Sequence, residues 1–175
     1  MAIRNIVQIG DSILNKKCRE VTEFNGRLYQ LLEDMQETLV EAGGLGLAAP
    51  QVGVLRAVCI VAEEIVSEEN EEVEETLRYY ELINPKIINE EGAVTIYEGC
   101  LSIPGRNGAI ERPEKITFTA QNRKGELYEM EATGLFARAV CHELDHLNGV
   151  TILELTDDFM EDHVDESVEA QLGGH

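Results

Sequence analysis

The segment best suited to chemistry runs from His142 to His146 and has the sequence HELDH, with two histidines separated by three residues. In a helix, residues four apart lie on one face about one turn apart, so both imidazoles can reach a single metal ion. Glu143 stands next to the first histidine, where its carboxylate can take a proton from water beside the metal. The structural alternative is a surface helix carrying a histidine pair. We favour the metal site and predict a metal-dependent hydrolase.

A catalytic metal site of this kind needs a third protein ligand. The acidic residues after His146, and His163, do not stand at the spacing of the related metallopeptidases, because positions 150–152 contain no histidine. Cys100 is the best candidate elsewhere, since a glycine precedes it and a predicted tight turn at 103–105 follows it. Considered alone, however, Cys100 would more often be a buried structural thiol.

Three segments, taken together and in this order, resemble the peptide deformylase family. They are GLGLAAPQ at 44–51, EGCLS at 98–102 and HELDH at 142–146. These segments match the family patterns G-x-G-x-A-A-x-Q, E-G-C-x-S and H-E-x-x-H without a substitution. The resemblance extends over residues 7–155 and is closest to the bacterial-type branch.

The resemblance implies a role for each matched residue in the second and third segments. Cys100, His142 and His146 would be the metal ligands, and Glu143 would be the catalytic acid and base. One divalent metal ion is therefore expected, with Fe(II) as the native ion and Zn(II), Ni(II) or Co(II) also able to occupy the site. A thiolate ligand suits iron or zinc. It would also expose an Fe(II) site to oxidation, so we expect the iron form to lose activity in air.

The resemblance also identifies groups that would stabilise the developing negative charge on the substrate oxygen. These oxyanion donors would be the side-chain amide of Gln51 and the backbone N–H of Leu101, placed where charge appears in the transition state. Glu98 and Asp145 match motif positions that support the site. The implied reaction removes the N-formyl group from the initiator methionine of nascent polypeptides and releases formate.

The substrate-binding residues are predicted from the first segment, from the strand and motif around Cys100, and from the face of the HELDH helix. Glycines leave room for a peptide backbone to approach. Leu135 and Arg138 stand seven and four residues before His142 and so share its helical face. Apolar side chains, with the aliphatic part of Arg138, would hold the methionine side chain. The full predicted set is Gly44, Leu45, Gly46, Ile96, Glu98, Leu135 and Arg138.

The motifs alone leave two alternative functions to be weighed. A metallopeptidase of the H-E-x-x-H type would share the helix and Glu143, but it would need a third ligand after His146 and would cleave internal peptide bonds. A metal-binding module without catalysis would need neither Glu143 nor Gln51. The presence of both residues favours an enzyme.

The spacing of apolar residues predicts the elements that must position these groups. An amphipathic helix is expected from Asn25 to about Ala42, and a second helix from Thr133 to Asn148 would carry the histidines. Strands are predicted at 57–62, 82–88, 93–97, 115–121 and 127–131. The fold class is therefore α+β, with mostly antiparallel strands packed around a metal-binding helix and an N-terminal amphipathic helix.

Charge and composition limit the partners and the domain organisation. The 175 residues carry a formal net charge of −20, which argues against direct nucleic-acid binding. Residues 63–75 contain eight Glu and neither Lys nor Arg, and we predict a loop there. We predict one catalytic domain over 1–155 and an acidic, flexible tail over 156–175, with a short helix at most. The tail offers no basic surface for a ribosome, although proximity to the ribosome stays compatible with the implied substrate. No apolar run could span a membrane, and we expect a cytoplasmic protein.

Overall fold

Two antiparallel sheets and three helices form the fold in the computed structural model, which describes residues 2–69 and 72–161. The predicted α+β class, with mixed helix and antiparallel sheet, is confirmed. The helices are α1 (Gly26–Ala42), α2 (Gly134–Leu147) and α3 (Ile152–Leu155). The strands are β1 (Gly46–Ala48), β2 (Val58–Glu69), β3 (Glu72–Glu91), β4 (Val94–Cys100), β5 (Ile103–Arg112), β6 (Lys115–Gln121), β7 (Leu127–Thr133) and β8 (Phe159–Glu161). One sheet has the order β1-β2-β3-β6-β7 and the other the order β4-β5-β8.

Helix α1 covers one face of the five-stranded sheet. Its first turn is capped by the side chain of Asn25, which accepts a hydrogen bond from the Leu28 N–H, and it ends at Gly43 in the left-handed conformation. The apolar face packs against Val58 and Ile60 of β2. The buried side chains of this face are Leu28, Leu31, Leu32, Met35 and Leu39.

Helix α2 lies on the opposite face of the same sheet. Successive residues of a strand point to opposite faces, so Cys59 and Val61 of β2 face α2 while their neighbours face α1. Phe136 and Val140 of α2 join this second core. Residues 58–61 of β2 are buried on both faces of the sheet. Packing against this strand therefore fixes the position of α2, and with it the two histidines, relative to β1.

The acidic segment is a strand pair and the predicted loop at 63–75 is wrong for its described residues. Strand β2 continues to Glu69 and β3 begins at Glu72, with register pairs from Glu63 opposite Arg78 to Glu69 opposite Glu72. Composition suggested a loop because glutamate dominates. The intervening β-branched residues, including Ile65 and Val73, favour an extended backbone, and pairing with the opposite strand decides the structure.

The segment after Cys100 also differs from the prediction. A tight turn was expected at 103–105, but the chain turns at Leu101 and Ser102, and Ile103–Arg112 forms strand β5 beside β4. Gly105 nevertheless has a positive φ of 79°, which explains why its neighbourhood resembles a turn in sequence. The result is a β4–β5 hairpin with Cys100 opposite Ile103 at its end.

The three-stranded sheet is completed by residues beyond the predicted domain boundary. We expected a flexible tail with at most a short helix after residue 155, yet Phe159–Glu161 pairs with β5 as β8. Phe159 packs beside Ile103 and Ile110, and the guanidinium of Arg106 lies 4.3 Å from its ring centre. The apolar packing and the cation–π contact hold Phe159 in place, although the acidic composition of this segment predicted a flexible tail. The remaining tail, residues 162–175, lies outside the described residues. Among the described residues, no helix is long and apolar enough to cross a membrane.

Candidate active site

A thiol from the three-stranded sheet and two imidazoles from helix α2 converge at one point. Cys100 ends β4, whereas His142 and His146 stand one turn apart on α2. Their potential ligand atoms all lie within 4.8 Å of one another. The Nε2 atom of His146 is 3.3 Å from the Sγ of Cys100 and 3.2 Å from the Nε2 of His142. Among the described residues, this is the group of metal-ligating side chains that comes together.

These distances fit three ligands of one metal ion. Two ligands about 2.1 Å from an ion in a tetrahedral arrangement are about 3.4 Å apart, close to the separations found here. Both histidines are buried and Cys100 is half-buried, so the cluster is shielded without being closed off. The set of one thiolate and two imidazoles leaves a fourth position, as catalytic sites of this type require.

Glu98 fixes the orientation of the first histidine. Its Oε2 lies 2.6 Å from His142 Nδ1, so the Nδ1–H donates to the carboxylate and leaves Nε2 free to bind a metal. Burial would raise the pKa of Glu98, but hydrogen bonds from His142 and Arg112 lower it to about 2. The carboxylate is therefore charged across the working pH range and holds the ring in one tautomer.

The surroundings of the histidines favour positive charge at the cluster. Although burial lowers the pKa of His142, its hydrogen bonds with Cys100 and Glu98 and the charge of Glu143 raise it to about 10. Burial and the charge of His142 lower the pKa of His146 to about 3. An imidazole must be neutral to bind a metal, so an ion held here would take the place of the proton on His142 Nε2.

Two arginines complete this network through contacts with Glu98 that the sequence motifs do not indicate. Arg112 donates from Nε and Nη2 to Glu98, at 3.2 and 2.8 Å, and also contacts Asp145 through Nη1. Arg138 Nη1 donates to Glu98 Oε1 at 3.1 Å. The alternation of β5 carried a signal for Arg112, because it follows Ile110 by two residues and so shares its buried face. An arginine at a buried strand position indicates a buried acid.

Glu143 is buried beside the cluster and has a free oxygen. Its Oε1 is 3.9 Å from His142 Nε2, and its Oε2 is buried without a hydrogen-bond partner among the described residues. Burial raises the pKa of its carboxyl to about 7, and the charge of Glu98 adds to the effect while His142 opposes it. A carboxyl group with a pKa near neutrality can both accept and return a proton. Gly46 of β1 makes this placement possible, since a side chain there would meet Glu143.

Gln51 reaches the cluster from a 3₁₀ turn after β1. Its Oε1 accepts a hydrogen bond from the Ala48 N–H at 2.9 Å, which fixes the amide orientation. The Nε2 donates to Ser102 Oγ at 3.1 Å and lies 3.8 Å from Cys100 Sγ. The predicted oxyanion donors Gln51 and Leu101 are thus brought to the same end of the β4–β5 hairpin, next to the thiol.

A cavity of about 410 Å³ opens onto His142 and Glu143. All seven residues predicted to bind substrate line this cavity. The predicted oxyanion donor Gln51 is not among the lining residues. Leu135 and Ile96 form exposed apolar parts of its wall, with 53% and 38% of their surfaces accessible. Arg138 contributes as predicted by position, but its guanidinium turns away into hydrogen bonds with the protein. The cavity can therefore receive an apolar side chain beside the reactive cluster.

A protein-family model and individual relatives both match most of the chain. The model described as polypeptide deformylase matches residues 3–161. A peptide deformylase of Caldicellulosiruptor bescii is 47% identical over 156 residues, covering 88% of this chain and 86% of that protein. A peptide deformylase of Thermoanaerobacter pseudethanolicus is 44% identical over 168 residues, covering 96% and 98% of the two chains.

Solved structures show the same similarity in three dimensions. The peptide deformylase of Thermotoga maritima superposes with a TM-score of 0.78 at 35% identity, covering 90% of this chain and 99% of that one. A class I type b peptide deformylase from Acinetobacter baumannii, solved with Met-Ala-Ser bound, also gives a TM-score of 0.78 at 32% identity. Coverage in that comparison is 88% of this chain and 98% of the other.

Proposed function

The chain belongs to the polypeptide deformylase family, and from that premise we propose which of its residues carry out the reaction. It is a hydrolase that removes the N-formyl group from nascent peptides. Family membership does not favour the alternative of an H-E-x-x-H metallopeptidase. The reaction breaks the bond between the formyl carbon and the methionine nitrogen, adds one water molecule, and yields formate and a free amine.

Cys100, His142 and His146 would hold the metal ion in the proposed site. The convergence of their Sγ and Nε2 atoms beside the buried Glu143 is the observation that carries the proposal. Such an ion lowers the pKa of water and polarises the formyl oxygen. As the family resemblance implies, we expect Fe(II) as the native ion, and the thiolate and imidazole donors would also suit Zn(II) or Ni(II).

Glu143 would move the proton in both halves of the reaction. Its free Oε2 would accept a proton from the attacking water, and the water oxygen would then bond to the formyl carbon. The same carboxyl group would return the proton to the methionine nitrogen as the carbon–nitrogen bond breaks. Burial raises the pKa of this carboxyl toward neutrality, which suits a group that first accepts and then returns a proton.

Gln51 and the Leu101 N–H would stabilise the oxygen that becomes negatively charged. The Gln51 amide is held by the Ala48 N–H and already lies next to Cys100, so it needs little reorganisation during the reaction. Removing one such donor from a hydrolase typically lowers kcat by about 10²- to 10³-fold. We therefore expect Gln51→Ala to lose activity in this range while it retains the metal.

The cavity would bind the first residue of the formylated peptide. Ile96, Leu135 and the aliphatic part of Arg138 provide apolar surface for a methionine side chain, and Gly44 and Gly46 also line the cavity. The Acinetobacter relative solved with Met-Ala-Ser supports a peptide that begins with methionine. Nascent peptides are made on ribosomes, so we expect the protein in the cytoplasm and near ribosomes. Its net charge of −20, however, favours neither docking to RNA nor direct nucleic-acid binding.

The proposal is tested by comparing formyl-Met-Ala-Ser with Met-Ala-Ser as substrates and measuring formate and new amino groups. Formate release from the first peptide, with both peptides otherwise intact, is the expected result. Glu143→Gln should retain the metal but lose about 10²- to 10⁴-fold in turnover. Cleavage of internal peptide bonds, or turnover that survives in Glu143→Gln, would contradict the proposed roles.

A further inference from the structure

The three proposed ligands are supplied by two structural layers that must be kept in register. Helix α2, with His142 and His146, packs on β1, β2, β6 and β7 of the five-stranded sheet. Cys100 belongs to β4 of the separate three-stranded sheet. A shift between the helix and this sheet would therefore move the thiol relative to the imidazoles, without unfolding either layer.

Arg138 connects the two layers directly. It stands on α2 and its guanidinium makes hydrogen bonds to both long strands of the three-stranded sheet. Nη2 donates to the Val94 carbonyl of β4 at 2.7 Å, and Nη1 donates to the Ile110 carbonyl of β5 at 3.0 Å. Nη1 also donates to Glu98 Oε1 at 3.1 Å. One side chain thus binds two strand backbones and the carboxylate that orients His142.

The chemistry of these contacts requires arginine and not merely a positive charge. Three acceptors approach a planar guanidinium, whose fixed N–H directions match them, whereas a lysine ammonium is a single point with flexible reach. The residue is only 7% exposed, so its hydrogen bonds compete little with water. Arg138 also precedes His142 by four residues and therefore fixes the helix one turn before the first ligand.

We propose that Arg138 is a positioning residue that sets the affinity of the metal site by holding Cys100 in register with His142 and His146. The inference rests on the proposed function, because it takes these three residues as the metal ligands. Arg112 reinforces the same junction by joining Glu98 of β4 to Asp145 of α2. Arg138 differs from Arg112 in holding the strand backbones themselves.

The test compares Arg138→Lys with wild type in zinc affinity, measured on the full chain by competition with a chromophoric chelator. Disturbing groups that orient metal ligands typically weakens binding by about 10- to 100-fold, and we expect a loss in this range. Arg123→Lys is the matched control, since Arg123 also forms a two-bond pair, with Glu81, outside the proposed site. The control should bind zinc like wild type.

Two further measurements separate positioning from general stability. The rise in Tm on adding zinc should shrink in Arg138→Lys more than the Tm of the metal-free protein falls, because ligand-linked stabilisation reports affinity. In the cobalt-substituted protein, the thiolate-to-cobalt absorption band should weaken as Cys100 moves away. If Arg138 were merely structural, its substitution would lower the Tm of the metal-free and the zinc-bound protein equally. The cobalt band of the folded fraction would then stay unchanged.

The outcomes distinguish this inference from the proposed function. Wild type that binds no zinc would overturn the ligand assignment itself. If wild type binds zinc and Arg138→Lys binds it with the same affinity, only the positioning role is overturned. If Arg138→Lys does not fold, Arg138→Gln replaces it, retaining amide donors of shorter reach. Failure of both to fold would also contradict the inference, since it requires a folded protein whose metal affinity alone is weakened.

Discussion

Gly46 lies so close to Glu143 that a β-carbon added to Gly46 would come within 2.8 Å of Glu143 Cγ and 2.9 Å of its Oε1. Strand β1 therefore presents bare backbone to the proposed catalytic carboxyl. This contact, and not a special backbone conformation, explains why residue 46 of the GLGLAAPQ segment is a glycine. A larger residue would push the carboxyl away from the cavity.

The first prediction concerns this contact. Gly46→Ala should displace the Glu143 side chain and lower kcat/KM by about 10- to 100-fold, since misplacing a catalytic group by about 1 Å has effects of that size. The metal content should stay at the wild-type level. Gly26→Ala is the control, because a β-carbon there has no atom within 4 Å. Wild-type activity in Gly46→Ala would show that Glu143 tolerates displacement or takes no part in the reaction.

The second prediction concerns the buried charge at Glu98. Glu98→Gln leaves Arg112 and Arg138 buried without their shared anion, and breaking a buried pair in this way lowers stability by about 3–5 kcal/mol. Urea unfolding of the metal-loaded protein measures the loss. Glu81→Gln, which removes a partly exposed partner of Arg123, should lose no more than about 1 kcal/mol. Equally small losses of stability in the two variants would contradict the claim that Glu98 is the essential buried partner of Arg112 and Arg138.

The third prediction uses Asp34, which ties the start of the chain to α1. Its carboxylate accepts hydrogen bonds from the Ala2 N–H at 2.8 Å, Gln30 Nε2 at 2.7 Å and Arg4 Nε at 3.0 Å. Burial would raise the pKa of Asp34, but these bonds and the Arg4 charge lower it. A lowered pKa contributes stability that is present above the unfolded value of about 3.9 and is lost as the pH falls through the folded pKa.

Asp34→Asn should therefore destabilise the protein by about 1–3 kcal/mol at neutral pH, the usual loss when a hydrogen-bonded charge is removed. The difference from wild type should decrease as the pH falls below about 4. Urea unfolding at both pH values measures it, with Glu33→Gln as a control, since Glu33 contacts Arg123 only at 3.9 Å on the surface. A loss that does not change with pH would show that packing, and not the charge, is responsible.

Periodicity and motif spacing predicted the elements that carry the proposed ligands, but not what joins them. The strand at Lys115–Gln121 has the predicted limits, and α2 begins and ends within one residue of its prediction. Both have regular apolar spacing that tertiary contacts reinforce. The acidic β2–β3 extension was missed because glutamate composition indicates loops, whereas pairing between two strands depends on a partner distant in sequence.

The contacts of Arg112 and Arg138 could not be predicted for a related reason. An isolated arginine is expected at the surface, and its burial becomes understandable only when Glu98 and the β4–β5 carbonyls are brought beside it. Motifs identify residues that perform chemistry. They contain little information about the long-range hydrogen bonds that fix those residues in space.

The most direct test of the central claim is to purify the protein without oxygen, measure its metal content, and assay formate release from formyl-Met-Ala-Ser in the same sample. We predict about one divalent ion per chain, formate release proportional to that content, and loss of both in Cys100→Ala. Exposure to air should inactivate the iron form but not the zinc form. A fully occupied site that releases no formate, or equal formate release after complete removal of the metal, would contradict the account.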